Sequence, residues 1–151
     1  MGQGIFITGT DTGVGKTFLT CALASLLRDN GFQVGVMKPA ETGCEVRDGA
    51  LWPQDAWQLK QAAGCAEAIE TICPYRLAEP LAPSIAAERA GVKIDIDHLL
   101  DTYAAINSKH DVTLVEGAGG LLVPLVPSFT FADFARVAKL PMIVVAANRL
   151  G

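Results

Sequence analysis

The chain has 151 residues, half of them apolar and 19% charged, with a net charge of −4. That is enough for one domain with a sizeable core, and too apolar for a disordered segment. The acidic balance, with no basic block, argues against nucleic acid as the main partner, and no apolar run is long enough to span a bilayer.

The first element is a short apolar strand, Ile5–Thr8, which runs into Gly9-Thr10-Asp11-Thr12-Gly13-Val14-Gly15-Lys16-Thr17 and then a helix, Lys16–Asn30. A strand, a Gly-rich turn and a helix start in that order form an anion site, because turn amides and the helix dipole face the same point. Lys16 supplies a mobile charge for phosphates, and the Thr17 hydroxyl is placed for Mg²⁺. The motif departs from G-x-x-x-x-G-K-[ST] in having Thr10 where Gly is expected, with Gly9 one place earlier. A turn that binds nothing would leave Lys16 opposing the helix dipole without reason. The helix from Phe18 to Leu27 is apolar on most sides, as expected of a helix packed on a sheet.

A second strand, Gln33–Met37, leads into Lys38-Pro39-Ala40-Glu41-Thr42-Gly43. Lys38 either points to a site or snorkels at the strand end; the residues alone leave the two readings even. Helices follow over Pro53–Ala63, Leu81–Ala90 and Asp95–Ser108, with Gly31 and Gly64 at expected C-terminal caps. Asp55 opens the first of these, where an ordinary first-turn acid is favoured by the dipole. The strand Val112–Glu116 ends in Glu116-Gly117-Ala118-Gly119-Gly120, a carboxylate at the mouth of a buried strand followed by glycines that suggest close approach to a ligand. A helix over Phe131–Ala138 and a strand over Met142–Ala147 complete the pattern.

Buried strands alternating with helices predict a doubly wound α/β domain over 1–151: a mostly parallel sheet, helices on both faces, and ligands beyond the carboxyl ends of the strands. The stop just after a strand exit, Ala146–Gly151, suggests the front part of a longer domain. Cys21, Cys44, Cys65 and Cys73 lack paired spacing and read as free thiols of a cytosolic protein. His98 and His110 read as surface residues, and the N-terminus has no secretory pattern.

The run Thr8–Thr17, then Lys38-Pro39 with Thr42-Gly43, then Val115–Gly120 resembles the dethiobiotin synthetase family. So do Pro74–Pro83 and Phe129–Asp133. The resemblance extends over the whole chain, although members continue past residue 151. It implies an ATP-dependent closure of a ureido ring on 7,8-diaminopelargonic acid with CO₂, giving dethiobiotin, ADP and phosphate. On this resemblance Gly13, Val14, Gly15, Lys16 and Thr17, with Phe18 beside them, would hold the nucleotide. Thr17, Asp55 and Glu116 would hold Mg²⁺, so Asp55 gains a role only here. Lys38 would be the active-site lysine, with Lys16 beside it in catalysis. Thr12, Lys38 and Thr42 would meet the diamine, and Asp55 and Glu116, Gly117, Ala118 and Gly119 would line the nucleotide. Gly13 stands where some members carry an acid. A homodimer is implied, its substrate site finished by a partner helix start after the Asn148–Gly151 exit. Two alternatives are a dimeric switch ATPase of the partition or septum-placement type, which has a lysine where this chain has Asp11, and a related amide-forming synthetase of cofactor pathways.

Overall fold

The computed structural model describes residues 2–148. In chain order the elements are β1 Gln3–Gly9, α1 Lys16–Asp29, β2 Val34–Met37, β3 Ala40–Glu41, β4 Glu45–Arg47, β5 Ala50–Trp52, α2 Gln54–Ala63, α3 Ile69–Ile72, β6 Tyr75–Arg76, α4 Pro83–Ala90, α5 Ile96–Asn107, β7 Val112–Glu116, β8 Pro124–Val126, β9 Phe129–Thr130, α6 Phe131–Val137 and β10 Met142–Val145. The main sheet has the order β10-β1-β7-β2 and is parallel throughout. Strands β1, β7 and β2 therefore open at one edge, where Gly9, Glu116 and Lys38 emerge.

Alternation along each strand divides the core into two layers. Phe6, Met37 and Val115 pack on one face with Leu99, Tyr103 and Ile106 of α5 and with Phe131 and Phe134 of α6. Ile7, Val36 and Leu114 pack on the other with Ala24 of α1 and with Ala56 and Leu59 of α2. Helices thus cover both faces, as the pattern of buried strands predicts.

Helix α1 corrects one expectation. Its buried stripe is Lys16, Thr20 and Ala24, spaced four apart, while Phe18 and Leu26 are exposed. Its apolar residues are therefore not all core-facing. The remaining helix boundaries shift inward by one or two residues for local reasons. Pro83 takes the first position of α4, where its missing N–H costs nothing. Asp95 caps α5 by accepting from the His98 amide at 3.1 Å. Thr130 and Asp133 form a capping box at the start of α6. The last strand ends at Val145 rather than Ala147; Met142 and Val144 lie exposed on it, beside β1.

The α5–α6 layer rests on aromatic contacts. Phe134 is fully buried, with its ring centroid 6.4 Å from that of Phe6 and 6.5 Å, edge-on, from that of Tyr103. Phe134→Ala is expected to cost about 3–5 kcal/mol in denaturant unfolding. The half-exposed Val137→Ala on the same helix should stay within about 0.5 kcal/mol. Equal losses would show that this layer is not a packed core.

Candidate functional site

The turn between β1 and α1 is built on two glycines. Gly13 and Gly15 have φ of 75° and 105°, in the left-handed region that glycine enters without a Cβ clash. The turn brings the Lys16 ammonium back over itself, donating to the Asp11 carbonyl at 2.8 Å. Thr17, one residue further, donates its hydroxyl to Glu116 Oε1 at 2.7 Å. The start of α1 is thereby tied to the end of β7.

Lys38 occupies the centre. Its amide donates to the Ile72 carbonyl at 2.8 Å, which fixes the β2 exit against α3. Its ammonium donates to Glu116 Oε1 at 2.7 Å, Asp55 Oδ2 at 3.0 Å and the Gly117 carbonyl at 3.2 Å. The even choice left by the sequence resolves inward: Lys38 is 3% exposed and Glu116 is fully buried. Asp55 is the accessible member of the group, at 39%.

Glu41 completes the cluster, and no reading of the sequence singled it out. It is buried, accepting from the amides of Asp55 at 2.9 Å and Ala56 at 3.0 Å. These are orphan donors of the first turn of α2, whose preceding residue, Pro53, makes no side-chain cap. The partners lie 14 and 15 positions away in sequence, so no local capping signature existed to find.

The cleft over this cluster has a volume of about 410 Å³. Thr12, Gly13, Gly15, Lys16, Thr17, Phe18, Lys38, Thr42, Asp55, Ala118 and Gly119 line it, as does Glu41. Of the residues singled out in sequence, Val14, Glu116 and Gly117 are absent from its wall. Glu116 forms the floor through Lys38 and Thr17. Gly117 serves packing: a Cβ there would lie 3.1 Å from the Phe6 ring. That qualifies the glycine argument, since Gly117 is small for the core while Gly119, with φ 66°, turns the backbone along the cleft. A second cleft of about 430 Å³ adjoins the first and shares Thr12, Thr42, Ala118 and Gly119 with it. It continues along Pro80, Leu81, Ala82, Pro83 and Val123. Residues 149–151 of the last strand exit lie outside the described residues.

The electrostatics separate the two lysines. Burial pulls the Lys16 ammonium below its usual pKa, and the nearby Lys38 charge adds to this. Burial would lower Lys38 as well, but the Glu116 and Asp55 carboxylates outweigh it and hold that ammonium above the ordinary lysine range. Burial likewise raises the Glu41 carboxyl, partly offset by the two amides it accepts from.

Among the described residues no group of three or more His, Cys, Asp and Glu side chains gathers as a metal site. The oxygen set available is two carboxylates, Asp55 and Glu116, with the Thr17 hydroxyl. Glu116 Oε2 is buried and has no hydrogen-bond partner. Hard oxygens in that number suit Mg²⁺, which takes one or two carboxylates and completes its shell with water and phosphate. The residues therefore fit such an ion.

The histidines and cysteines stand mostly as expected. His98 is exposed; His110 is half-buried, with Nδ1 2.7 Å from the Ile106 carbonyl, which corrects its reading as a surface residue. All four cysteines are free.

Fold and cleft together define a phosphate-loop α/β domain. The chain belongs to the AAA domain family, whose model matches residues 3–151. Over 149 residues, 99% of the chain, it is 47% identical to the ATP-dependent dethiobiotin synthetase BioD of Anaeromyxobacter sp. (strain Fw109-5), and 44% identical to that of Anaeromyxobacter sp. (strain K). Over 151 residues it is 42% identical to the protein of the same name from Nitrosospira multiformis. Each alignment covers 65% of the relative, so the chain spans just under two thirds of their length. Among solved structures, the signal recognition particle receptor FtsY of Elizabethkingia anophelis aligns with 96% of this chain and 41% of its own, at 19% identity and a TM-score of 0.46. That likeness is too distant to bear on function.

Cys21 offers a chemical reading of the site's charge. Burial, then the Glu116 and Asp55 carboxylates, push its thiol up to about 11. At pH 8 roughly a thousandth of it is thiolate, so alkylation by iodoacetamide is expected to be slow and to rise about tenfold per pH unit towards pH 11. Mass spectrometry of the Cys21 peptide measures this. A rate that levels off near pH 9 would contradict the burial and the acidic neighbours that raise this thiol.

Proposed function

We propose that this chain carries the ATP and diamine site of a dethiobiotin synthetase, closing a ureido ring on 7,8-diaminopelargonic acid with CO₂. One observation carries the reading. The phosphate-loop Thr17 and the side chains of Lys38, Asp55 and Glu116 meet at one point, with Lys16 lining the cleft above them. The likeness to proteins named for that activity supports it.

In the reaction, one substrate amine attacks CO₂, forming a C–N bond and losing a proton to give a carbamate. A carbamate oxygen attacks the γ-phosphorus of ATP as the bond to ADP breaks. The second amine attacks the carbamoyl carbon, phosphate leaves, and a further proton is released. No protein nucleophile is required.

The difficulty is charge. Carbamate and triphosphate are both anionic, and the site holds three carboxylates, Glu41, Asp55 and Glu116, against two ammonium groups. The turn amides from Gly13 to Thr17 would cradle the phosphates. Lys16 would exchange its own-loop carbonyl for a phosphate oxygen, and Phe18 borders the nucleotide. Asp55, Glu116 and Thr17 would hold Mg²⁺, which when bound supplies the missing positive charge. Lys38 stays protonated because its carboxylate partners hold it so, and it can offset negative charge on the phosphoryl as it transfers. The Thr12 and Thr42 hydroxyls sit on the wall common to both clefts, where they can orient the amines. Pro80, Leu81 and Pro83 offer apolar surface to the alkyl chain.

A homodimer and a cytosolic location belong to the same reading and rest on the resemblance. No helix among the described residues is long and apolar enough to cross a membrane.

The reading is tested in the protein at its relatives' full length, with ATP, Mg²⁺, bicarbonate and the diamine. ATP hydrolysis should depend on the diamine and yield dethiobiotin; diamine-independent turnover would favour a switch ATPase. Lys38→Leu should lower kcat about a hundredfold or more, as loss of an electrostatic stabiliser does. Lys16→Ala should weaken ATP binding in calorimetry. Normal turnover in the Lys38 variant would make that lysine structural.

A further inference from the structure

We infer that Glu41 is a positioning residue: it is the strut that sets the start of α2, and with it the Asp55 carboxylate, against Lys38. The inference rests on the role read for Asp55 above and assigns this chain's Glu41 a part in it.

Helix α2 approaches the site without its own anchor. Pro53 precedes it and caps nothing through its side chain. Asp55 lies in the first turn, where the amides have no intrahelical partners. Glu41 accepts two of those amides, one on each oxygen, at 2.9 and 3.0 Å. A carboxylate also suits the positive end of the helix dipole. One side chain thus fixes both the axial position and the rotation of the turn that carries Asp55.

Glu41 is itself held. It belongs to β3, paired in parallel with β6, with Glu41 in register with Arg76. Its carbonyl accepts from the Leu77 amide at 2.9 Å. It stands three residues after Lys38 and directly before Thr42, so the strut joins the β2 exit to the helix that faces it. The Asp55–Lys38 contact of 3.0 Å depends on this connection. Asp55 is the most exposed member of the ion cluster and has no other side-chain hydrogen bond among the described residues, so nothing else holds its carboxylate in place.

Glu41 differs in kind from a ligand. Glu41 borders the cleft, but each of its oxygens accepts an amide of the turn that carries Asp55, so its carboxylate is committed to that helix start. A structural acid of the core would lower stability when removed and leave the behaviour of Asp55 unchanged. A strut would change the behaviour of Asp55 in particular.

The experiment compares Glu41→Ala, Glu41→Gln, Asp55→Asn and the double variant Glu41→Ala/Asp55→Asn, in the protein at its relatives' full length. Trp52 and Trp57 flank Asp55 with ring centroids 4.9 Å apart, so the part of the fluorescence that a Trp52→Phe/Trp57→Phe variant removes reports this helix start. Three quantities are read: the Mg²⁺ midpoint for ATP binding by that fluorescence, hydrogen exchange at the Asp55 and Ala56 amides, and the thermal midpoint.

Glu41→Ala should speed exchange at those two amides about tenfold or more and raise the Mg²⁺ midpoint at least about fivefold. ATP binding in the presence of a chelator should not weaken, since the variant also removes a carboxylate from the cleft. Glu41→Gln, which keeps one good acceptor, should recover most of the Mg²⁺ effect. In the Asp55→Asn background, Glu41→Ala should add nothing to the Mg²⁺ midpoint, since coupled residues are not additive.

Unaltered exchange at Asp55 and Ala56 overturns the strut. So does an equal Mg²⁺ shift in both backgrounds, which would mean Glu41 acts without Asp55. If Glu41→Ala does not fold, Glu41→Gln carries the exchange measurement: it keeps one acceptor oxygen of two, so one of the two amides should exchange faster, and unaltered exchange at both overturns the strut. If the unmodified protein shows no Mg²⁺-dependent ATP binding, the proposed function fails, and the exchange measurement still decides the strut.

Discussion

The ion pair between Lys38 and Glu116 is the point on which the site depends. Both groups are withdrawn from water, at 3% and 0% exposure, and they meet at 2.7 Å. Burying two charges costs several kcal/mol for each, and the attraction repays it only when the geometry is good and further hydrogen bonds are made. Here they are made: Thr17 on the carboxylate, Asp55 and the Gly117 carbonyl on the ammonium. Those bonds draw together the ends of β2 and β7 and the starts of α1 and α2. Loss of one partner of such a pair leaves a buried charge uncompensated, at about 3–5 kcal/mol. The packing of the strand exits against the helix starts therefore follows from one buried pair of charges.

The two lysines share a cleft and differ in what opposes them. Lys38 is locked between carboxylates and stays charged at any physiological pH. Lys16 lines the same cleft, is depressed by burial and by its neighbour's charge, and leans on a carbonyl of its own turn. A carbonyl is a weaker hold on an ammonium than a carboxylate. Lys16 can thus exchange partners at low cost, whereas Lys38 is part of the floor. On the proposed reading this is a division between grasping the substrate and stabilising the charge that moves.

What could be read in the sequence follows the range of the interactions involved. The phosphate turn was legible because its signals are local: strand, glycines, lysine and helix occupy one continuous segment. Glu116 was legible because a carboxylate closing a buried strand is out of place in a core. Asp55 looked like any first-turn acid, since its meaning comes from Lys38 and Glu41 across the chain, and only family resemblance marked it. Glu41 was missed for the same reason. The hairpin of β4 and β5 was missed although a signal existed. Asp48-Gly49 both have positive φ and join Arg47 to Ala50 as a two-residue loop, a recognised hairpin sequence. Strands of three residues are too short to show alternation, so the turn was the place to look.

The two adjoining clefts place a demand on these supports. Thr12, Thr42, Ala118 and Gly119 form the wall they share, and on the proposed reading any group passed between the nucleotide and the second substrate crosses there. Transfer chemistry tolerates little misplacement, and about 1 Å can cost two orders of magnitude in rate. Thr12 comes from the β1 exit, Thr42 from the β3 exit, and Ala118 and Gly119 from the β7 exit. No single element can hold that wall. It is held because each exit is fastened to the same buried pair: the β7 segment through Glu116, the β1 turn through Thr17, and the residues after β2 through Lys38. A sheet whose strands open in one direction brings these exits to one edge; the buried charges beneath set their spacing.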